Sequence, residues 1–252
     1  MKKKLIKFVA YGDSHGDIIC NQTADAFCEF LKAFRPDERI FLGDGVDARP
    51  WRKGADADDR KDNMREDFSA CLDFMRRTRP TAYLAGNHCD RIFRMAATDG
   101  PESTTAWTFE NDLKERLRKV GCRTLRPYDR RVPAFRLGPV AFIHGFRSGK
   151  LAVKEEARTY CQSGGALIMG HLHRMETVNI EIEGGGVGIS AGCIGDINKM
   201  DYAKTHGSVL TWANGWVYGV IEGNEWKAWT AHRFNGRFLY TGNFTLLGKG
   251  RE

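Results

Sequence analysis

Long apolar runs are missing from this chain. Its longest, such as Ala166-Leu167-Ile168-Met169, fall far short of the roughly 18 to 20 residues that a membrane-spanning helix needs, so no such helix and no membrane partner is expected. Proline is scarce, 7 in 252 residues, and no Pro/Ser-rich linker or low-complexity block occurs, which favours a single domain over 1–252. The seven cysteines (Cys20, Cys28, Cys71, Cys89, Cys122, Cys161, Cys193) are odd in number and contain no Cys-x-x-Cys pair. A disulfide frame or a zinc ribbon is therefore not expected, and buried reduced thiols in a cytoplasmic protein are. The basic start Met1-Lys2-Lys3-Lys4 lacks the apolar stretch of a secretion signal, because Lys7 and Asp13 interrupt it.

What is present is the composition of a globular protein: 42% hydrophobic and 28% charged residues exclude disorder as the main state. Lys and Arg exceed Asp and Glu by 39 − 32 = 7, which suits an anionic partner or simple solubility.

Short apolar runs alternate with helical patterns in the first half. Leu5 to Tyr11 reads as a strand; Ala24, Phe27, Cys28, Leu31 and Phe34 then recur at helical spacing until Pro36. Strands follow at Ile40 to Leu42, Thr81 to Ala85, Val140 to Ile143 and Ala166 to Met169. Helices are expected over Met64 to Met75, Asn111 to Val120 with Gly121 as its stop, and Lys150 to Tyr160, with an irregular stretch from Arg91 to Thr108. From Thr177 onward the pattern is nearly all strand. Gly184-Gly185-Gly186 marks a turn, strands are expected at Gly207 to Trp212, Trp216 to Ile221, Glu225 to Arg233 and Arg237 to Tyr240, and Asn214-Gly215, Gly223-Asn224 and Asn235-Gly236 read as hairpin turns. This order predicts a mixed sheet covered by helices, with an antiparallel sheet packed against it.

Each strand of the first half ends in a polar cluster: Gly12-Asp13-Ser14-His15, Gly43-Asp44-Gly45-Val46-Asp47, Gly86-Asn87-His88, His144-Gly145 and Gly170-His171-Leu172-His173. Five of the seven histidines fall in these clusters, which makes the ordered set informative where each motif alone is not. Loops at the carboxyl ends of strands are where an α/β sheet holds ligands rigidly yet accessibly. Asp13/His15 and His171/His173 are spaced i, i+2, which in an extended segment puts both side chains on one side for chelation.

With these clusters in view, the sequence resembles the calcineurin-like metallophosphoesterases. The resemblance implies an α/β fold, a four-layer αββα sandwich with two mixed sheets flanked by helices and a two-metal site at the strand C-terminal ends. It implies that Asp13, His15, Asp44 and His173 hold one divalent metal, and that Asp44 bridges to a second held by Asn87, His144 and His171. His88 matches the general acid, and Asp47 the carboxylate that orients it. The strand-rich remainder would form the second sheet. Two cations sharing Asp44 would give a bridging hydroxide at neutral pH and neutralise the phosphoryl oxygens during in-line attack. Imidazole, amide and carboxylate donors without thiolate suit manganese, iron and zinc alike, and manganese is the metal expected to serve in an assay.

Departures from the pattern narrow the substrate. Ala48, Ala85 and Cys89 stand where the family's protein phosphatases carry Arg, Arg and Glu, and His88 stands where its lipid A precursor hydrolases have Arg. A weaker similarity, through Gly170-His171-Leu172-His173-Arg174, Ala191-Gly192-Cys193 and Trp212-Ala213-Asn214-Gly215-Trp216, is to phosphoesterases carried by bacteria and phages. The expected activity is a phosphodiesterase on nucleic acid or nucleotides; the alternatives are a phosphomonoesterase on a small substrate and a non-catalytic interaction module. Arg49, Trp51 and Arg52, with Pro50 and Lys53, follow Asp47 as a basic loop with an aromatic that would hold a phosphate and stack a base, and Arg91 would belong to a substrate-facing cap. Trp212, Trp216, Trp226, Trp229, Phe234 and Phe238 read as sheet core, His206 and His232 as structural, and Asp56, Asp58, Asp59 and Asp62 as a solvated helix start.

Overall fold

The computed structural model describes residues 4–200, 210–234 and 237–240. Among the described residues, twelve strands form two mixed sheets. In the first, β1 (Leu5–Tyr11), β2 (Glu38–Phe41), β3 (Ala82–Leu84) and β4 (Thr124–Arg126) run parallel, while β10 (Gly215–Glu222), β11 (Glu225–Phe234) and β12 (Arg237–Leu239) add antiparallel on the free side of β1. In the second, β6 (Val140–Ile143), β7 (Gly165–Met169) and β9 (Gly186–Ala191) are parallel, and β5 (Phe135–Leu137) and β8 (Met175–Ile180) are antiparallel edges.

Why these strands stack is legible in their period of two. Phe8, Ala10, Ile40, Ala82 and Leu84 of the first sheet face Val140, Phe142, Ala166 and Ile168 of the second, and this cluster is the core between the sheets. The alternate residues Val9, Tyr11, Phe41 and Tyr83 face outward and meet helices α1 (Asn21–Phe34), α2 (Met64–Thr78) and α4 (Ser103–Lys119). Ala141, Ile143, Leu167 and Met169 face the other way and meet α5 (Ala152–Tyr160). Three apolar interfaces thus separate four layers, αββα, as the sequence predicts.

Several expectations are corrected. The C-terminal hairpin strands β10 to β12 do not build the second sheet; they extend the first beside β1, and the second is made of β5 to β9. The stretch from Arg91 to Thr108 is mostly helical, in α3 (Cys89–Ala96) and the start of α4. Asn214-Gly215 is not a hairpin turn: Gly215 opens β10, and the buried Asn214 amide donates to the Cys193 and Gly195 carbonyls. Gly223-Asn224 does link β10 and β11, and Gly184 and Gly185, both at φ 73°, make the turn before β9. In the strand expected over Gly207 to Trp212, 207–209 lie outside the described residues and Trp212 forms only an isolated bridge with Arg174. His206, Asn235, Gly236 and the Phe234 side chain also lie outside them. All seven cysteines are free thiols, and among the described residues no helix is long and apolar enough to cross a membrane.

Candidate metal centre

The five polar clusters follow β1, β2, β3, β6 and β7, so loops from both sheets meet at one end of the sandwich. Backbone bonds lock the first two together: Asp13 N donates to Gly43 O at 2.8 Å and His15 N to Asp44 O at 3.0 Å. The backbone here is strained. Eight non-glycine residues among those described have positive φ, and five of them are Asp13, His15, Asp44, His171 and His173; two of the others, Arg35 and Arg79, cap helices. Each left-handed residue costs about 1 to 3 kcal/mol, and such strain collects where function requires it. The extended backbone expected for the i, i+2 pairs is therefore not what presents them, and His171 and His173 part company, one to each donor group. Glycine is required where these loops crowd: a Cβ on Gly86 would lie 2.7 Å from Asp44 N.

The donors converge in groups. Asp13, His15 and His173 offer ligand atoms within 4.8 Å of one another, as do Asp44, His144 and His171. His15 Nε2 faces His173 Nε2 at 3.0 Å, and Asp13 Oδ1 lies 3.3 Å from His173 Nε2. In the second group His144 Nε2 lies 3.2 Å from Asp44 Oδ2 and 3.0 Å from Asn87 Oδ1. Donors sharing one ion at about 2.1 Å sit about 3.0 to 3.4 Å apart, so these spacings fit coordination spheres. Hydrogen bonding alone satisfies them poorly. His144 Nδ1 donates to Leu42 O at 2.8 Å, which turns its Nε2 lone pair toward two oxygens that are themselves acceptors, and His173 Nδ1 is buried without a partner among the described atoms. The donor set fits divalent cations, and the Leu42 carbonyl is the kind of outer partner that fixes a ligand's tautomer.

Electrostatics agree with the geometry. Burial works against charge on His144, but the Asp44 carboxylate and then Asp13 outweigh it and push the imidazole up to about 9. Burial, then the neighbouring His144, pushes His171 down to about 3, leaving it neutral as a ligand must be. Burial also opposes charge on Asp44, yet His144 and His88 hold its carboxyl well below the usual range.

His88 also comes within 4.8 Å of the ligand atoms of His15 and Asp44, so position alone would admit it as a donor. Its Nδ1 is 2.5 Å from Asp47 Oδ1, which accepts from His15 Nδ1 as well, at 3.1 Å, and its Nε2 stays 3.9 Å from Asp44 Oδ2. Asp47 is buried, which disfavours its charge, but these two imidazoles hold it well below the usual carboxylate range.

The residues expected to meet substrate are otherwise engaged. Arg49 is ion-paired with Asp17, Asp47 and Asp62, and Arg52 with Asp59, so Asp59 and Asp62 are not merely a solvated helix start. Arg91 donates to Asp47 O at 2.7 Å, and Trp51 packs against the helix-side core near Phe109. Sequence reasoning missed three residues beside the centre. Trp212, read as sheet core, meets the His173 ring edge to face at 4.4 Å. The buried Asp67 of α2 accepts from Asp47 N at 3.0 Å and Ala48 N at 2.7 Å, and the buried Glu156 of α5 accepts from Phe146 N, two residues past His144, at 3.0 Å. Asp67 and Glu156 sit on helices remote in sequence from the loops they hold, which left no local signal; Trp212 lies in the motif Trp212-Ala213-Asn214-Gly215-Trp216, but its apolar character reads as core.

No family model matches the sequence, and no curated protein matches it. Among solved structures it is similar to vacuolar protein sorting 29 of Cryptosporidium parvum, at 14% identity over 95% of this chain and 96% of that one, with a TM-score of 0.50. Lower scores relate it to zinc-complexed Vps29 of Entamoeba histolytica (TM-score 0.47, 13% identity, 93% of this chain and 96% of that) and to the E. coli phosphoesterase YfcE (TM-score 0.42, 13% identity, 88% and 96%). At such identities what is shared is the fold, a two-sheet α/β sandwich.

Proposed function

We propose that the chain is a two-metal phosphoesterase acting on phosphodiesters of nucleotides or nucleic acid. The observation that carries the reading is the convergence of Asp13, His15, Asp44, Asn87, His144, His171 and His173 from five strand ends, with donor spacings of 3.0 to 3.3 Å. Two divalent cations, manganese foremost, would acidify water and offset phosphoryl charge there. Asp44 would be the carboxylate shared by the two ions: its Oδ2 faces His144, and its Oδ1 accepts from His88 N at 2.8 Å, which fixes the carboxylate. His88, its Nδ1 held by Asp47, would as the imidazolium give the Nε2 proton to the leaving oxygen and be left neutral.

The nucleotide reading draws support from a groove of about 820 Å³ that begins at Trp212 and runs past Met175, Asn198, Thr230, His232 and Arg233. An indole against the His173 ring, at 4.4 Å, offers a stacking face beside the centre. The test is hydrolysis of bis-p-nitrophenyl phosphate against p-nitrophenyl phosphate by metal-stripped protein with Mn²⁺ restored. The expected result is preference for the diester, with at least a thousandfold loss in Asp44→Asn, on the order of what removing charge stabilisation costs. Preference for the monoester would overturn the diester reading, and no metal-dependent turnover with Mn²⁺, Fe²⁺ or Zn²⁺ would overturn catalysis itself.

A further inference from the structure

We infer that Arg49 is a positioning residue: it fixes the Asp47 carboxylate so that His15 and His88 both turn Nε2 toward the centre. The inference rests on the reading of His88 as general acid. Arg49 is little exposed, 15% of its side chain, and its guanidinium is shared among three carboxylates. Nη2 lies 2.9 Å from both oxygens of Asp17, Nε pairs with Asp62, and Nη1 lies 3.2 Å from Asp47 Oδ2. With every arm of the guanidinium held by a carboxylate, Arg49 has no donor directed to a phosphate among these contacts, which argues against the substrate contact its place in the sequence suggests.

What Arg49 does is visible at Asp47. Asp47 Oδ1 accepts from both His88 Nδ1, at 2.5 Å, and His15 Nδ1, at 3.1 Å, and the Asp47 carbonyl is a second acceptor for His88 Nδ1, at 3.1 Å. The other carboxylate oxygen has Arg49, and without that bond the carboxylate is free to turn about Cβ–Cγ and release one imidazole. The backbone of the same residue is already clamped, its N–H by Asp67 and its carbonyl by Arg91. Arg49 therefore governs the remaining freedom, that of the carboxylate. Asp17 follows His15 by two residues, so the same guanidinium also ties the loop after β1 to the loop after β2.

The experiment compares Arg49→Ala, Arg49→Lys and His88→Ala with the unaltered protein at saturating Mn²⁺, on bis-p-nitrophenyl phosphate and on methyl phenyl phosphate, whose leaving group needs a proton more. Arg49→Ala is expected to lose at least about tenfold more kcat on the phenyl ester than on the nitrophenyl ester, with KM within about threefold. Arg49→Lys falls between, and in a His88→Ala background the extra loss of Arg49→Ala on the phenyl ester over the nitrophenyl ester disappears, leaving only what passes through His15. In the metal-free protein, imidazole ¹⁵N spectra should show a proton held on Nδ1 of both His15 and His88, and its partial loss in the Arg49 variants. A raised KM with unchanged kcat would make Arg49 a substrate contact, and equal losses on both esters with unchanged tautomers would make it merely structural; either overturns the inference. If Arg49→Ala does not fold, Arg49→Lys carries both readouts. If His88→Ala shows no leaving-group preference, the general-acid reading falls, and the tautomers still decide the role of Arg49.

Discussion

Asp67 shows what the centre asks of a single residue. Its carboxylate holds the Asp47 turn through two backbone amides, and it does so from a position 2% exposed. Burial pushes its carboxyl up to about 6; the two amides pull it down, and the Asp47 and Asp17 carboxylates push it further up. An unfolded aspartate titrates near about 3.9, so the folded chain binds this proton more tightly. The sign follows: the group's stabilising contribution is complete below about pH 4 and is lost as pH rises through 6, a cost on the order of 3 kcal/mol at neutral pH. Asp67→Asn should therefore flatten the fall in stability between pH 4 and 6, measured as denaturation midpoints across that range. An unchanged slope would mean that Asp67 is not the group responsible. At this scale the sequence displays ligand types because metal chemistry restricts them, and Asp13, Asp44 and the five clustered histidines stand out on that ground. It does not display residues such as Asp67, whose importance comes from which helix packs on which loop.

At the scale of elements, apolar periodicity located what packing made regular. β1 and β6 have the bounds their patterns predict, because each strand is flanked by apolar partners on both faces. The segment from Arg91 to Thr108 reads as irregular because Gly100-Pro101 and four threonines weaken helix propensity there. Tertiary contacts override this: Ala106, Phe109, Leu113 and Leu117 of α4 are buried in a row, and Phe109 stacks on Phe68 of α2 at 4.5 Å. Gly121, read from sequence as the stop of this helix, has φ 84°, and a Cβ there would meet nothing within 4 Å. Gly121→Ala isolates conformational strain and should lower stability by about 1 kcal/mol while leaving kcat unchanged. Chemical denaturation with a parallel turnover assay checks both halves, and a neutral effect on stability would show that the helix end relaxes.

Across the whole molecule, the centre joins the two sheets. Asp13, His15, Asp44 and Asn87 come from loops of the first sheet, and His144, His171 and His173 from loops of the second. Each donor group mixes the two: Asp13 and His15 with His173, and Asp44 with His144 and His171. The two-sheet architecture could be expected from the motifs, but the assignment of strands to sheets could not. β10 to β12 carry the same alternation that a second sheet would, and only the free side of β1 decides where they pair. The measurement that tests the account most directly is anomalous diffraction from crystals of the protein soaked in Mn²⁺. Two peaks per chain are predicted, one among Asp13, His15 and His173 and one among Asn87, His144 and His171, about 3.5 to 4 Å apart with Asp44 between them. A single peak, or none at these donors, would contradict the two-metal centre on which the proposed chemistry stands.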